Sequence, residues 1–142
     1  MSQSNTQQGD IVLPSNEDLS DLEGYLVMIA NASNVAKLAL PNAAADPAVF
    51  VLIDGGDASG DDCVARPLSP DRSVRLKLQG TCVPGNILVI FPPDGTNDGK
   101  VEALPATAGT YRAVAIAEQV GVDEQLVLAR PANLGLITVD AA

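Results

Sequence analysis

Residues 39–67 read ALPNAAADPAVFVLIDGGDASGDDCVARP, and residues 103–131 read ALPATAGTYRAVAIAEQVGVDEQLVLARP. A shift of 64 positions places Ala-Leu-Pro on Ala-Leu-Pro and Ala-Arg-Pro on Ala-Arg-Pro. Between these two motifs, an apolar segment ending in Asp54 falls on an apolar segment ending in Glu118. Similarity at one fixed spacing over this length is typical of a duplicated structural unit.

The similarity extends towards the N-terminus, where GYLVMI (24–29) matches GNILVI (85–90) once three extra residues of an intervening loop are allowed for. We interpret the pattern as a diverged internal duplication with pseudo-repeats 24–67 and 85–131. The alternative is that the similarity arose by chance, because β proteins often use the same residue types in strands and turns. Two copies are too few for a solenoid, so we expect them to pair into one closed or nearly closed sheet with pseudo-twofold symmetry.

Short apolar segments recur along the chain after Gly24, separated by turns rich in Gly, Pro, Asp and Asn. SVRLKLQG (73–80) alternates apolar and polar residues, which is the period of a half-buried strand. This spacing predicts an all-β domain, a small barrel or sandwich. The predicted strands are 25–30, 35–40, 49–53, 63–67, 73–80, 87–91, 100–104, 111–117, 125–129 and 135–139.

The N-terminal residues have a different character. Residues 1–9 are polar and lack a hydrophobic anchor, and a short apolar group, Ile11, Val12 and Leu13, precedes Pro14. We assign residues 1–14 to a flexible N-terminal arm and residues 15–142 to a single β-barrel domain. At most one or two helical turns are expected, in 15–24. The apolar group either docks on a partner or forms the first strand of the barrel.

Composition bounds the chemistry. The chain of 142 residues carries a net charge of −10 and contains no His, no Trp and four aromatic residues. This charge disfavours nucleic acid and anionic membranes as partners, and favours cationic surfaces. Without His, the commonest general base and metal ligand is missing. The N-terminal residues lack the features of a signal peptide, so we expect a soluble protein made in the cytoplasm.

No motif of known chemistry is visible, so we predict no catalytic, cofactor-binding or metal-binding residues. Loop 54–62 is dense in Asp, but it lacks the spacing of a calcium loop, and we interpret it as a solvated turn. Cys63 and Cys82 are expected to be small buried hydrophobes, although a disulfide or a reactive thiol stays open.

Three of the eight cationic residues lie close together, at Arg72, Arg75 and Lys77. They either contact an acidic neighbouring subunit or protect an exposed strand edge from pairing. The repeated arginines, Arg66 and Arg130, are expected at equivalent corners of the fold, solvated or paired with an acid. The candidate partner-binding residues are therefore Ile11, Val12, Leu13, Arg72, Arg75 and Lys77.

The second half of the chain contains a series of short motifs, GNILVI, DGKV, ALPATAGTYR, AVAIAEQVG and EQLVLARP. The first half contains LEGYLVMI and ALPNAAADPAVFVLIDG. On these motifs the chain from Leu19 onwards resembles the phage capsid cement, or head decoration, proteins. The motifs are structural in nature. The polar arm before Ile11 and the acidic loop 54–62 depart from the family's pattern.

The resemblance implies a virion protein on the outer surface of an expanded phage head, synthesised in the host cytoplasm. Its partners would be the major capsid protein and sister copies of itself, as a homotrimer, and it would stabilise the head by bridging capsid subunits without catalysis. The alternative is a cytosolic β-barrel that binds a small ligand, which predicts a pocket with convergent polar groups.

Overall fold

A computed structural model describes residues 9–141. Within this range the chain forms ten strands and no helix, which confirms the all-β prediction. Residues 15–24, where a helical turn was allowed, form consecutive turns closed by bonds such as the amide of Leu22 to the carbonyl of Leu19 (3.2 Å). The strands are β1 (Ile11–Pro14), β2 (Leu26–Ala32), β3 (Val35–Ala39), β4 (Phe50–Asp54), β5 (Asp62–Pro67), β6 (Val74–Lys77), β7 (Ile87–Ile90), β8 (Val101–Ala103), β9 (Gly109–Ala117) and β10 (Leu126–Val139).

The strands form two five-stranded antiparallel sheets with the same internal order. The first sheet runs β1-β5-β4-β2-β3 and the second runs β6-β10-β9-β7-β8. Adding five to each strand number of the first sheet reproduces the second. The sequence repeat is therefore a repeat of topology, as a duplicated unit requires.

Each sheet is almost closed on itself. The chain leaving β1 makes a parallel bridge between Ser15 and Leu38 of β3, and the chain leaving β6 makes one between Leu78 and Val101 of β8. These bridges join the two edges of each sheet, which reduces the exposed backbone. Our expectation that both copies would pair into one sheet is therefore wrong, because the closing contact of each copy lies within that copy.

The repeat begins earlier than the sequence indicated. β1 lies 63 positions before β6, has the same length, and pairs with β5 as β6 pairs with β10. Ile11–Pro14 thus belongs to the domain, and the boundary that we placed at residue 14 is corrected to a position before Ile11. Residues 1–8 of the predicted arm lie outside the described residues.

The last two predicted strands, 125–129 and 135–139, are one strand. β10 pairs with β9 from Ala129 to Val139, with a bulge between Pro131 and Gly135. The Pro and Gly that we took for a strand break are accommodated by this bulge, which inserts residues without ending the pairing.

Aliphatic side chains fill the interior. One cluster lies inside the first sheet and contains Val27, Leu38, Leu52 and Cys63, all fully buried. A second, larger cluster fills the second sheet and includes Leu26 and Val51 from the first, so the two sheets pack on a common core. The two halves therefore share part of one hydrophobic core.

Candidate partner-binding surfaces

The side chains of β1 alternate between core and solvent. Ile11 and Leu13 pack against the core of the first sheet, whereas Val12 is 56% exposed. Successive side chains of a strand point to opposite faces, so a strand in this register cannot present Ile11 and Leu13 to a partner. This corrects the docking role that we predicted for these two residues and leaves Val12 as the candidate on β1.

The cationic candidates have different environments. Arg75 projects from β6, exposed, with its Nη1 3.4 Å from the carbonyl of Leu126. Lys77 pairs instead with Glu124, with 3.7 Å between Nζ and Oε2. Arg72 is exposed in the turn before β6.

Val12 and Arg75 occupy equivalent positions in the two repeats. They are 63 residues apart, and each is an exposed residue of the outer strand of its sheet. Val12 lies opposite Val64 of β5, and Arg75 lies opposite Leu128 of β10, which is 64 residues further on. The duplicated fold thus presents two related surfaces, one with an apolar and one with a cationic residue at its centre.

The repeated arginines are both paired with acids, which is one of the two alternatives left open by the sequence. Arg66 binds Asp10 through two bonds, Nε to Oδ1 at 2.9 Å and Nη2 to Oδ2 at 3.1 Å. Arg130 lies 3.4 Å from Glu118. The hydrogen bond from Arg66 holds the pKa of the Asp10 carboxyl below its usual value. The first pair ties the start of the outer strand β1 to β5, whereas the second joins two inner strands, β10 and β9.

In the second repeat a serine stands where Asp10 stands in the first. Ser73 lies 63 positions after Asp10 and donates a hydrogen bond to Glu118. The acid that neutralises the arginine therefore comes from the residue before β1 in one repeat and from the residue after β9 in the other. This exchange of partners shows why the equivalence is visible in the fold and hidden in the sequence before residue 24.

The acidic loops use their carboxylates to cap turns. Asp61 Oδ2 accepts the amides of Asp57 and Ala58, both at 3.0 Å, and Asp98 Oδ1 accepts those of Asp94 and Gly95. Such bonds stabilise a turn in place of a backbone partner. Across residues 9–141, no group of three Asp, Glu or Cys side chains is arranged to hold a metal ion.

A groove of about 390 Å³ lies where the repeats meet. Equivalent residues of both repeats line it, Phe50 and Pro67 from the first, and Val114 and Pro131 from the second. Arg112 also lines the groove, but its Nε donates to the carbonyls of residues 45 and 46, at 3.1 and 2.9 Å. The groove is therefore mostly apolar, and its one guanidinium is engaged in holding a loop.

Lys100 is a residue whose role the sequence analysis missed. It is only 4% exposed, and its Nζ donates to Asn97 Oδ1 (2.8 Å) and to Glu124 Oε1. Glu124 has a positive φ of 71° and also faces Lys77, so one carboxylate serves two lysines. The available signal was the scarcity of cations in so acidic a chain. It could not name the partner, because Lys100 and Glu124 are 24 residues apart.

Cys63 and Cys82 are free and buried, as predicted for small core residues. Burial raises the pKa of both thiols. A thiol held in its protonated form is a weak nucleophile, so these side chains serve packing.

No protein-family model matches the chain, and no curated protein matches it. Within residues 9–141 no helix has the length and apolar character needed to cross a bilayer.

Proposed function

We propose that the protein is a structural virion component that binds the outer surface of an expanded phage head. It bridges neighbouring subunits of the major capsid protein, stabilises the shell, and associates with sister copies as a trimer. It has no catalytic role. The resemblance of the chain from Leu19 onwards to head decoration proteins motivates this proposal, and the duplicated fold supports a physical means of bridging.

The observation that carries the proposal is the duplicated fold. One chain contains two sheets of identical strand order, each with an exposed residue at the same place on its outer strand, Val12 and Arg75. A shell repeats the same subunit surface many times. A protein with two related surfaces in one rigid unit is suited to contact two neighbouring subunits at once, and each contact raises the effective concentration of the other.

Charge supports the same partner. The net charge of −10 in 142 residues favours a shell surface that is cationic overall, with a local acidic site opposite Arg75, and disfavours direct contact with packaged nucleic acid. Acidic residues dominate the surface loops, while the two paired arginines of the repeats are already neutralised by Asp10 and Glu118. We therefore expect binding to expanded heads to weaken as salt is raised.

Co-sedimentation with expanded, undecorated heads tests the proposal, together with the heat resistance of the decorated heads. We expect Val12→Asp and Arg75→Glu each to reduce affinity about tenfold, and the double variant to reduce it further, since the two surfaces act together. Val120→Asp is the matched control, because Val120 is 62% exposed but lies on neither outer strand.

A wild-type protein that neither binds these heads nor raises their resistance to heat would overturn the proposed function. Binding that survives both substitutions unchanged would reject the bridging surfaces. Circular dichroism of each variant shows whether a loss of binding reflects a loss of fold.

The groove between the repeats favours a second candidate, a small-ligand-binding protein. Its volume of about 390 Å³ falls within the range of small-molecule sites, and Phe50 supplies an aromatic wall. An apolar ligand is the class that fits. Saturable binding of a fluorescent apolar probe, abolished by Ala132→Arg in the half-buried wall of the groove, would support this candidate, and loss of head binding in the same folded variant would indicate that both functions use one surface.

A further inference from the structure

In the described part of the chain, the closure of the sheets leaves parts of several strands without a second neighbour, and two of these edges, on β3 and β10, differ in charge. Within residues 9–141, the backbone groups of 35–37 on β3 and of 131–139 on β10 bond only to the neighbouring strand of their own hairpin. The bridge at Leu38 covers the rest of the β3 edge, and β6 covers β10 only as far as Ala129.

The open edge of β10 has the properties of a strand that pairs with another chain. Residues 135–139 are Gly-Leu-Ile-Thr-Val, with no charge, no Pro and a regular ladder to β9 on the inner side. Leu134 and Leu136 are 46% and 50% exposed. Long uncharged edges are normally shortened, charged or covered, because they template pairing with other chains.

The open edge of β3 belongs to a hairpin that is longer than its counterpart in the second repeat. β2 and β3 continue to the pair Ala32 and Val35 and are joined by Ser33 and Asn34, both with positive φ. The corresponding strands β7 and β8 are shorter and are joined by a longer loop. Val35 is 51% exposed at the end of the hairpin.

The charges of the two edges are complementary. Lys37 is the only charged residue between positions 24 and 45 in a chain with 18 acidic residues. The β10 edge carries no charge from Pro131 to Val139 and ends at Asp140, which is exposed. Pairing of two β3 edges would bring Lys37 towards its own copy, whereas pairing of β3 with β10 brings an ammonium towards a carboxylate.

We propose that the β3 edge of one copy pairs with the β10 edge of the next copy, with Lys37 of one facing Asp140 of the other. In a parallel pairing with Lys37 opposite Asp140, Val35 lies opposite Thr138 and reaches Leu136 two residues along the same face, so main-chain bonds, apolar area and one ion pair act together. The contact joins different surfaces of the two copies. Such a contact closes into a ring when the rotation between copies allows, and a ring of three is the trimer proposed above.

The place of this contact on a phage head rests on the proposed function, but the pairing itself is measured with the purified protein alone. Sedimentation velocity over a range of concentrations reports self-association. We expect Lys37→Asp and Asp140→Lys each to weaken it at least about fivefold, and the double variant, which restores opposite charges, to recover most of it. Asp57→Lys is the control for net charge, because Asp57 lies in the exposed loop 54–62.

Cross-linking tests the head-to-tail geometry independently. Val35→Cys and Thr138→Cys, each in its own protein, should form disulfide-linked dimers when mixed and few when incubated alone, since Cys63 and Cys82 are buried. Equal cross-linking of Thr138→Cys with itself would overturn the head-to-tail pairing. So would a wild type that stays monomeric throughout, or a double charge variant no better than the single variants. Loss of head binding with intact self-association would instead reject the proposed function alone.

Discussion

Replacement of Glu124 by Gln should destabilise the protein more than removal of the lysine that it binds. Lys100 is 4% exposed and Glu124 is about half exposed, at 52% of its side chain. Gln preserves the shape of Glu but removes its charge. The ammonium of Lys100 then stays buried with only neutral acceptors, whereas in Lys100→Met the remaining carboxylate still reaches water and Lys77.

The magnitudes follow from this asymmetry. Breaking a fully buried ion pair costs about 3–5 kcal/mol, and the exposure of Glu124 reduces the cost of Glu124→Gln to about 3 kcal/mol. Lys100→Met loses charge-assisted hydrogen bonds but leaves no buried charge without a partner, and Met fills the volume of the lysine side chain. We therefore expect it to lower the free energy of unfolding by about 1–2 kcal/mol. At this chain length 1 kcal/mol corresponds to about 3 °C in Tm.

Urea unfolding at neutral pH, followed by far-ultraviolet circular dichroism, measures these free energies. The double variant Lys100→Met with Glu124→Gln should lose at least about 1 kcal/mol less stability than the sum of the single variants, because it contains no buried ammonium without an acidic partner. Glu23→Gln, an exposed carboxylate elsewhere, serves as the control and should change stability by less than about 0.5 kcal/mol. The reasoning fails if Glu124→Gln costs no more than Lys100→Met, or if the two changes are additive.

Burial raises the pKa of Glu102 in the folded protein. The stability associated with its protonated form is therefore present below the pKa of the unfolded chain and is lost as the pH rises through the pKa of the folded protein. Glu102→Gln should raise Tm at pH 7, and this gain should disappear below about pH 4. An equal gain at both pH values would contradict this. Asp10→Asn should behave oppositely, because Arg66 lowers the pKa of Asp10. The stability from this pair is present above the pKa of the unfolded chain and is lost as the pH falls through the pKa of the folded protein. The variant should therefore be less stable than the wild type at pH 7 and equally stable at acidic pH, as measured by thermal unfolding. Gly55→Ala should cost about 3 kcal/mol or more in urea unfolding, because the added Cβ would lie 1.9 Å from the carbonyl oxygen of Leu19; a near-neutral result would show that this turn can shift.

The partner-binding surface was only partly accessible to sequence reasoning. Arg75 could be placed on the polar face of its strand because alternation is a local pattern. Val12 could be named as a candidate, but only its pairing register with β5 shows that Val12 faces solvent while Ile11 and Leu13 face the core. The role of Lys37 and Asp140 depends on which edges stay open after the sheets close, and that information is absent from any local segment.

The sequence by itself determined the all-β class, most of the strands and the duplication from Gly24 onwards. These properties rest on short-range patterns, apolar segments bounded by turn residues and one spacing of 64, which need no knowledge of contacts. Only the tertiary structure decided that Ile11–Pro14 opens the first repeat, that each copy closes its own sheet, and that 126–139 is one bulged strand. The physical reason is that pairing partners compete: a four-residue segment has too few apolar side chains to specify its neighbour, and its place is set by the edge that the other strands leave open.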